Sequence, residues 1–336
     1  MKPTINSFFN IHNVDEFTEI ALSVFNFQVE ENPVYNRYIN TLKINVSDVI
    51  SLEQIPFLPV EFFKTHQVST KSKSEALNVK LFTSSGTTGN ITSKHYVNDV
   101  GIYELSYLQG FQHFYGDVEN YCILALLPSY LERDGSSLIY MANDLINKSK
   151  HPKSGFYLNN YKELLATLKE LETKKQKTIL LGVSYALLDL AELMDEKGFE
   201  KFRFKNTIVM ETGGMKGKRR EMLKEELHAV LCHSFGVDVI HSEYGMTELL
   251  SQAYSKGNGI YNCPPWMKVL IRDVNDPFSF LSSEKTGGIN VIDLANINSC
   301  SFIATQDLGQ LHSNGSFKIL GRFDNSDIRG CNLLVD

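Results

Sequence analysis

Val79-Lys80-Leu81-Phe82-Thr83-Ser84-Ser85-Gly86-Thr87-Thr88-Gly89-Asn90 opens with a short apolar run and ends in small hydroxyl residues around two glycines. The first five residues read as a strand and the rest as the loop that follows it. Small residues let a backbone turn tightly and aim several N–H and O–H groups at one point, which is the chemistry of a phosphate cradle. A Walker A loop is excluded, because no Gly-Lys-Ser/Thr ending follows. An isolated run of this kind also fits an exposed loop, so its meaning depends on the surrounding chain.

Downstream, short apolar runs alternate with helical patterns. Strands are predicted at Val79–Thr83, Tyr121–Leu127, Thr178–Leu181, Thr207–Met210 and Val237–His241, with helices near 99–115, 135–147, 160–174, 184–197 and 216–231. This alternation predicts an α/β sheet with helices on its faces. Beyond Pro264 the Gly, Asn and Ser content rises. Val269–Arg272, Ile289–Asp293, Ser301–Ala304 and Phe317–Leu320 predict a β-rich C-terminal part.

Upstream, Phe17, Ile20, Ala21, Val24 and Phe25 predict an amphipathic helix over 13–31, with Asn13 and Glu16 as its capping box. Ile55-Pro56-Phe57-Leu58-Pro59 is barred from regular helix by its prolines, and polar Gln67–Asn78 predicts an exposed connection. The expected organisation is a helical segment over 1–79, an α/β core over 80–321 and a short tail over 322–336.

Composition bounds the function. The 336 residues suit about two domains, and 43% hydrophobic residues, 21 Phe and 15 Tyr among them, suffice for a packed core. A net charge of −6 argues against a broadly basic nucleic-acid binder, yet is compatible with a local phosphate pocket. No run approaches the ~18–20 apolar residues of a membrane-spanning helix, and the N-terminus lacks a signal-peptide core. Cys122, Cys232, Cys263, Cys300 and Cys331 are scattered, with no CxxC and no zinc spacing. They predict reduced thiols in a cytoplasm and no structural metal.

Two further elements carry chemistry. Ser242-Glu243-Tyr244-Gly245-Met246-Thr247-Glu248 gathers a hydroxyl, an aromatic ring and a carboxylate after a predicted strand. They can bond a phosphate, stack on a base and hold Mg²⁺; a strand-to-helix turn with Thr247 or Glu248 at the helix start is the competing reading. Then come Thr305-Gln306-Asp307-Leu308-Gly309 and Gly321-Arg322-Phe323-Asp324-Asn325, which offer a ribose acceptor and a cationic hinge, or simply turn residues.

The order of these elements resembles the adenylate-forming superfamily of acyl-CoA ligases, luciferases and peptide-synthetase adenylation domains. The superfamily's signature is a Ser/Thr/Gly phosphate loop, a Tyr-Gly-x-Thr-Glu element, a Thr-Gly-Asp element and a Gly-Arg-x-Asp hinge. The resemblance spans residues 83 to 325 and implies the large α/β domain of that fold. It implies that ATP lies against Ser84, Ser85, Gly86, Thr87, Thr88 and Gly89, with Ser85, Thr87 and Thr88 around its β- and γ-phosphates. Gly213 and Gly214, in Glu211-Thr212-Gly213-Gly214, would border the adenine. Tyr244 would stack on it beside Gly245, Thr247 would bond the α-phosphate, Glu248 would hold Mg²⁺, and Asp307 and Arg322 would take the ribose. Gln306 departs from the pattern, standing where the superfamily has Gly.

The ending sharpens the likeness. Only fifteen residues run from Arg322 to Asp336, so the superfamily's C-terminal lid domain and its lysine are expected to be missing. The chain is most similar to the acyl-protein synthetases (LuxE-like) of bioluminescence-type fatty acid reductase complexes. The likeness includes Ile55-Pro56-Phe57-Leu58-Pro59, Phe62-Phe63-Lys64, Leu127-Pro128-Ser129-Tyr130-Leu131-Glu132-Arg133 and a cysteine near the end, Cys331 in Arg329-Gly330-Cys331. It implies activation of a fatty acid to acyl-AMP, transfer to Cys331 and delivery to a reductase-type partner. An acyl-CoA ligase using free CoA and a non-catalytic acyl- or nucleotide-binding scaffold are the alternatives.

Three other candidates arise. Lys216, with Lys218, Arg219 and Arg220, reads either as a solvated helix face or as a stand-in for the lid lysine. His95 reads either as an orienter of a phosphate or carboxylate or as a strand histidine satisfied by its neighbours. His241 is a polar group for the wall of an acyl pocket. No Gly-x-Ser-x-Gly elbow surrounds Ser129 or Ser184, which excludes that serine hydrolase type.

Overall fold

The apolar runs Cys122–Leu126 and Thr178–Val183 are buried along their whole length, as parallel strands covered on both faces must be. They sit in a computed structural model that describes residues 3–71, 79–84, 91–127, 135–158, 160–196, 202–214, 218–220 and 222–323. In chain order, the N-terminal elements are α1 (Ile5–Phe8), α2 (Val14–Glu31), α3 (Pro33–Thr41), β1 (Leu58–Pro59) and α4 (Phe62–Thr65). Next come β2 (Lys80–Thr83), β3 (Lys94–Val97), α5 (Val100–Tyr115), β4 (Cys122–Leu126), α6 (Ser137–Ser149) and β5 (Gly155–Tyr157). The centre continues through α7 (Tyr161–Thr173), β6 (Thr178–Val183), α8 (Ser184–Glu196), β7 (Thr207–Thr212), α9 (Lys224–Phe235) and β8 (His241–Tyr244). Six strands close it: β9 (Ala253–Ser255), β10 (Ile260–Asn262), β11 (Met267–Arg272), β12 (Thr286–Asp293), β13 (Phe302–Leu311) and β14 (Phe317–Arg322).

Among the described residues, one large sheet runs in the order β11-β12-β13-β14-β10-β9-β8-β7-β6-β4-β5, with β1 pairing parallel to β13. The strands β5, β4, β6, β7 and β8 are parallel, and every later pairing along the path is antiparallel. The predicted α/β class with a β-rich end is therefore what the chain adopts. Ligands of parallel sheets collect beyond the carboxyl ends of the strands, which here are Thr212 in β7 and Tyr244 in β8.

The N-terminal helices are fastened to the sheet by buried polar side chains. Asn13 caps α2 by accepting from Glu16 N–H, but the reciprocal half of the predicted capping box is replaced, since the Glu16 carboxylate accepts from His12 N–H and Asn13 Nδ2. Gln28 donates to the carbonyls of Asn296 and Ile297 and accepts from Ser301 N–H. Asn32 caps α3 with its oxygen while its amide nitrogen donates to the Ser299 carbonyl. Phe25, Tyr35 and Phe57 pack against Phe302 of β13.

Three sequence expectations are corrected. The strand predicted at Val237–His241 lies at His241–Tyr244, because Gly236 ends α9 with φ 58° and the chain turns before entering the sheet. The helix predicted from 216 begins at Lys224; the described residues 218–220 are not helical, and Arg219 pairs with Asp189 and Glu192 of α8. The connection after Gln67 is not all exposed. Val68, Ser69 and Thr70 are buried, with the Val68 carbonyl accepting from Ser299 and Thr70 N–H bonded to the Asn298 carbonyl. Among the described residues no helix is long and apolar enough to cross a membrane.

Candidate active site

The phosphate-loop sequence is carried by the antiparallel β2–β3 hairpin. Its base is closed by two serines: Ser84 N–H donates to the Ser93 carbonyl at 3.1 Å, and Ser93 N–H donates to Ser84 Oγ at 2.9 Å. Ser85, Gly86, Thr87, Thr88 and Gly89 lie outside the described residues.

Beyond β8, residues 245–252 turn directly into β9, with no helix between them. The competing reading of Thr247 or Glu248 as a helix start is thereby removed. Gly245 is required by close approach, since a Cβ there would lie 2.6 Å from Glu243 Oε1. The turn is gripped from outside: Asp293 accepts from Leu250 N–H, Ser251 N–H and Ser251 Oγ, and Asn296 Nδ2 donates to the Glu248 carbonyl at 2.7 Å. Thr247 is half-buried and Glu248 only 6% exposed. Burial pushes the Glu248 carboxyl above its ordinary range, against the opposing Ser93 hydroxyl and the charges of Arg322 and Lys64. Those neighbours bring the turn to the base of the β2–β3 hairpin.

The third segment joins the same cluster. Asp307 Oδ2 accepts from Tyr244 Oη at 2.8 Å, and Oδ1 pairs with Arg322 Nε at 3.2 Å. Burial raises the Asp307 carboxyl even so. The Tyr244 ring stands edge-on to Tyr261 and Phe317. Gln306 points to the opposite face of β13, as strand alternation demands, and donates to Glu61 Oε1. The departure from the Thr-Gly-Asp pattern therefore ties the N-terminal segment to the sheet and leaves Asp307 in register with Arg322.

At the end of β7, Gly213 adopts a left-handed φ of 66°, and its carbonyl accepts from Ser184 Oγ at 2.9 Å; Gly214 follows, exposed. Beneath them, Glu211 Oε1 pairs with Lys224 Nζ at 2.7 Å and lies 3.5 Å from His228 Nε2. Burial alone would raise the Glu211 carboxyl, but the His228 contact and the Lys224 charge outweigh it and hold the pKa at about 2. Lys224 also donates to Tyr261. Next along the sheet, Glu243 accepts from Thr212 Oγ1, and burial pushes its carboxyl up to about 7.

Replacing Glu211 by Gln leaves the Lys224 ammonium without its counter-charge. The expected cost is about 3 kcal/mol, as for breaking a buried pair, read as a lower urea midpoint with unchanged slope. Because the folded pKa of Glu211 is depressed, its contribution is present above the ordinary 4.5 and fades as pH falls toward about 2. The gap between variant and wild type should close over that window; a gap independent of pH would contradict the ionised pairing.

Other predicted residues fall elsewhere. Lys216 and Cys331 lie outside the described residues. Arg219 is committed to α8, and Lys218 and Arg220 are exposed. His241 Nδ1 lies 3.2 Å from Tyr115 Oη, and burial lowers its pKa to about 4. His95 is fully buried and takes the satisfied-strand reading: its ring meets the Thr247 carbonyl and Asn296 rather than solvent. Sequence reasoning missed Asp293 and Asn296 altogether; their only signal was polar residues ending the apolar run Val291-Ile292.

A family model described as acyl-protein synthetase, LuxE, matches residues 12–336. No curated protein matches the chain. Among solved structures, ATP-bound MatB from Rhodopseudomonas palustris is 16% identical, over 72% of this chain and 47% of its own, with a TM-score of 0.53. An open conformation of 2-hydroxyisobutyryl-CoA ligase, in complex with 2-HIB-AMP and CoA, is 11% identical over 93% of this chain and 70% of its own, with a TM-score of 0.65. The same ligase in its thioesterification state is 13% identical over 97% and 73%, at a TM-score of 0.64. The chain thus spans about half the length of MatB, and at these identities the likeness is one of fold. With the matched segment running from residue 12 to residue 336, the chain belongs to the LuxE acyl-protein synthetase family.

Proposed function

We propose that this protein activates a fatty acid with ATP and passes the acyl group, through a cysteine thioester, to a reductase-type partner. The observation that carries the reading is the meeting of three segments distant in sequence. The Ser84–Ser93 hairpin base, the Thr247–Glu248 turn and the Tyr244–Asp307–Arg322 cluster lie together beyond the carboxyl end of β8. Hydroxyls, two carboxylates and one guanidinium are the groups that a nucleoside triphosphate with its metal ion needs.

In the first step the substrate carboxylate attacks the α-phosphorus, the bond to the bridging oxygen breaks, and pyrophosphate leaves with its electron pair. The chain's part is positioning and neutralisation of charge. Asp307 orients the ribose, Arg322 balances it, and the Thr247 hydroxyl meets the α-phosphate. Among the described residues no cluster of three or more acidic, His or Cys side chains could hold a metal. Glu248, a buried carboxylate on the turn, suits Mg²⁺, which is commonly held by one or two carboxylates plus substrate phosphates. That ion would neutralise charge on the phosphates. In the second step a thiolate attacks the acyl carbon, AMP leaves, and a thioester remains.

Cys331 is the carrier we assign. The thiols of Cys122, Cys263 and Cys300 are pushed by burial to about 11, 12 and 12, and that of Cys232 is raised too, which makes all four poor nucleophiles. A thiol carrier also suits the reduced environment of a cytoplasm.

The test is direct detection of acyl-AMP and pyrophosphate after mixing the protein with ATP, Mg²⁺ and carboxylic acids of increasing chain length. Stoichiometric acyl-AMP with at least one acid is expected; ATP hydrolysis to ADP alone would discard the reading. If Asp307 orients the ribose, Asp307→Ala should raise KM for ATP by about tenfold or more, consistent with losing a charged hydrogen bond of ~1.5–3 kcal/mol, and leave KM for the acid nearly unchanged. The reverse ordering would assign Asp307 to the acyl side.

A further inference from the structure

His95 is a buried polar side chain that the proposed chemistry leaves unused. It lies on β3, opposite Phe82 in the hairpin that carries the phosphate loop, with its ring edge-on to Phe63. Its Nδ1 is 2.7 Å from the main-chain carbonyl of Thr247, a residue 152 positions away in sequence. Its Nε2 is 3.1 Å from Asn296 Oδ1, and the amide nitrogen of the same Asn296 donates to the Glu248 carbonyl. Two successive carbonyls of the turn are thus held from one side, by an imidazole and by the amide that touches it.

We propose that His95 is a positioning residue that fixes the Thr247–Glu248 turn to the strand leaving the phosphate loop, so that groups on both segments keep one geometry around a triphosphate. The proposal rests on the adenylation reading. A carbonyl only accepts, so Nδ1 must carry the proton. Burial lowers the ring's pKa to about 4, which leaves the imidazole neutral near pH 7 and Nε2 without a proton. The Thr247 bond is therefore the one hydrogen bond the ring gives the turn; Nε2 and Asn296 Oδ1, both acceptors in this state, lie 3.1 Å apart without a hydrogen bond between them. Asn296 completes the clamp through its own bond to the Glu248 carbonyl. Displacing such a turn by about 1 Å is enough to cost on the order of a hundredfold in rate.

Two near-isosteres separate this role from simple packing. In His95→Asn the amide nitrogen sits where Nδ1 does and keeps the Thr247 bond. In His95→Gln the amide nitrogen sits where Nε2 does, and the Thr247 carbonyl loses its donor. For His95→Asn we expect kcat for acid-dependent pyrophosphate exchange within about fivefold of wild type, and for His95→Gln a fall of about fiftyfold or more, with KM for the acid within about twofold in both. Amide hydrogen exchange across residues 246–252 should be native-like in His95→Asn and faster in His95→Gln. Equal effects of the two substitutions on both readouts would overturn the proposal and leave His95 a core residue. If wild-type protein supports no pyrophosphate exchange with any acid, the adenylation reading fails, and the amide exchange of the two variants still decides the clamp.

Discussion

Glu248→Gln should lower acid-dependent exchange of labelled pyrophosphate into ATP by about a hundredfold or more, an effect of ~several kcal/mol on a charge-stabilised transition state, in a protein that melts no lower than wild type. The two halves of this expectation have different physical sources. Gln keeps the shape of the side chain but removes the negative charge that this residue offers the metal. The stability half follows from burial. Because burial raises the folded pKa of Glu248, ionisation above that pKa costs folding free energy, and a neutral amide avoids the cost. Activity lost with the melting temperature kept or raised is therefore the signature of a functional carboxylate. Unchanged exchange would remove Glu248 from the site, and joint loss of exchange and of the melting transition would assign it to the fold.

Cys331→Ser should keep pyrophosphate exchange within about twofold while abolishing a hydroxylamine-sensitive acyl adduct in intact-protein mass spectra, since adenylation and thiol acylation are separate covalent steps. Arg329 and Gly330 precede Cys331 in sequence, offering a cation to favour the thiolate and freedom in the backbone. The thiols of the four described cysteines are all shifted upward, which makes substitution of the carrier role by one of them costly. An adduct persisting in Cys331→Ser would make another cysteine the carrier, with Cys263 and Cys300 tested next. Loss of both activities in a folded variant would mean that the segment completes the adenylation site.

The sheet was readable where packing alone decides the residue. Cys122–Leu126 and Thr178–Val183 are buried on both faces and carry unmistakable apolar runs. Reading failed where function or capture by a neighbour overrides the pattern. Ser242 and Glu243 are buried polar residues inside β8, so Val237, Val239 and Ile240 just before them mimicked the strand. The basic residues before α9 have helix-forming side chains, but Arg219 is held by two acids of α8. The candidate site divides the same way. Tyr244, Glu248, Asp307 and Arg322 stand in local motifs whose order is visible. The residues that hold their backbone are not: Asp293 acts on Leu250 from 43 positions away and Asn296 on Glu248 from 48. A hydrogen bond to a carbonyl leaves no imprint on the sequence at the accepting end.

Formation of an acyl-adenylate by this chain is read most directly from exchange of labelled pyrophosphate into ATP with each of a series of carboxylic acids. Saturable exchange that requires both Mg²⁺ and an acid, with at least one chain length preferred, is expected. Absence of exchange at every chain length, in folded protein that still binds ATP, would contradict acyl-adenylate formation.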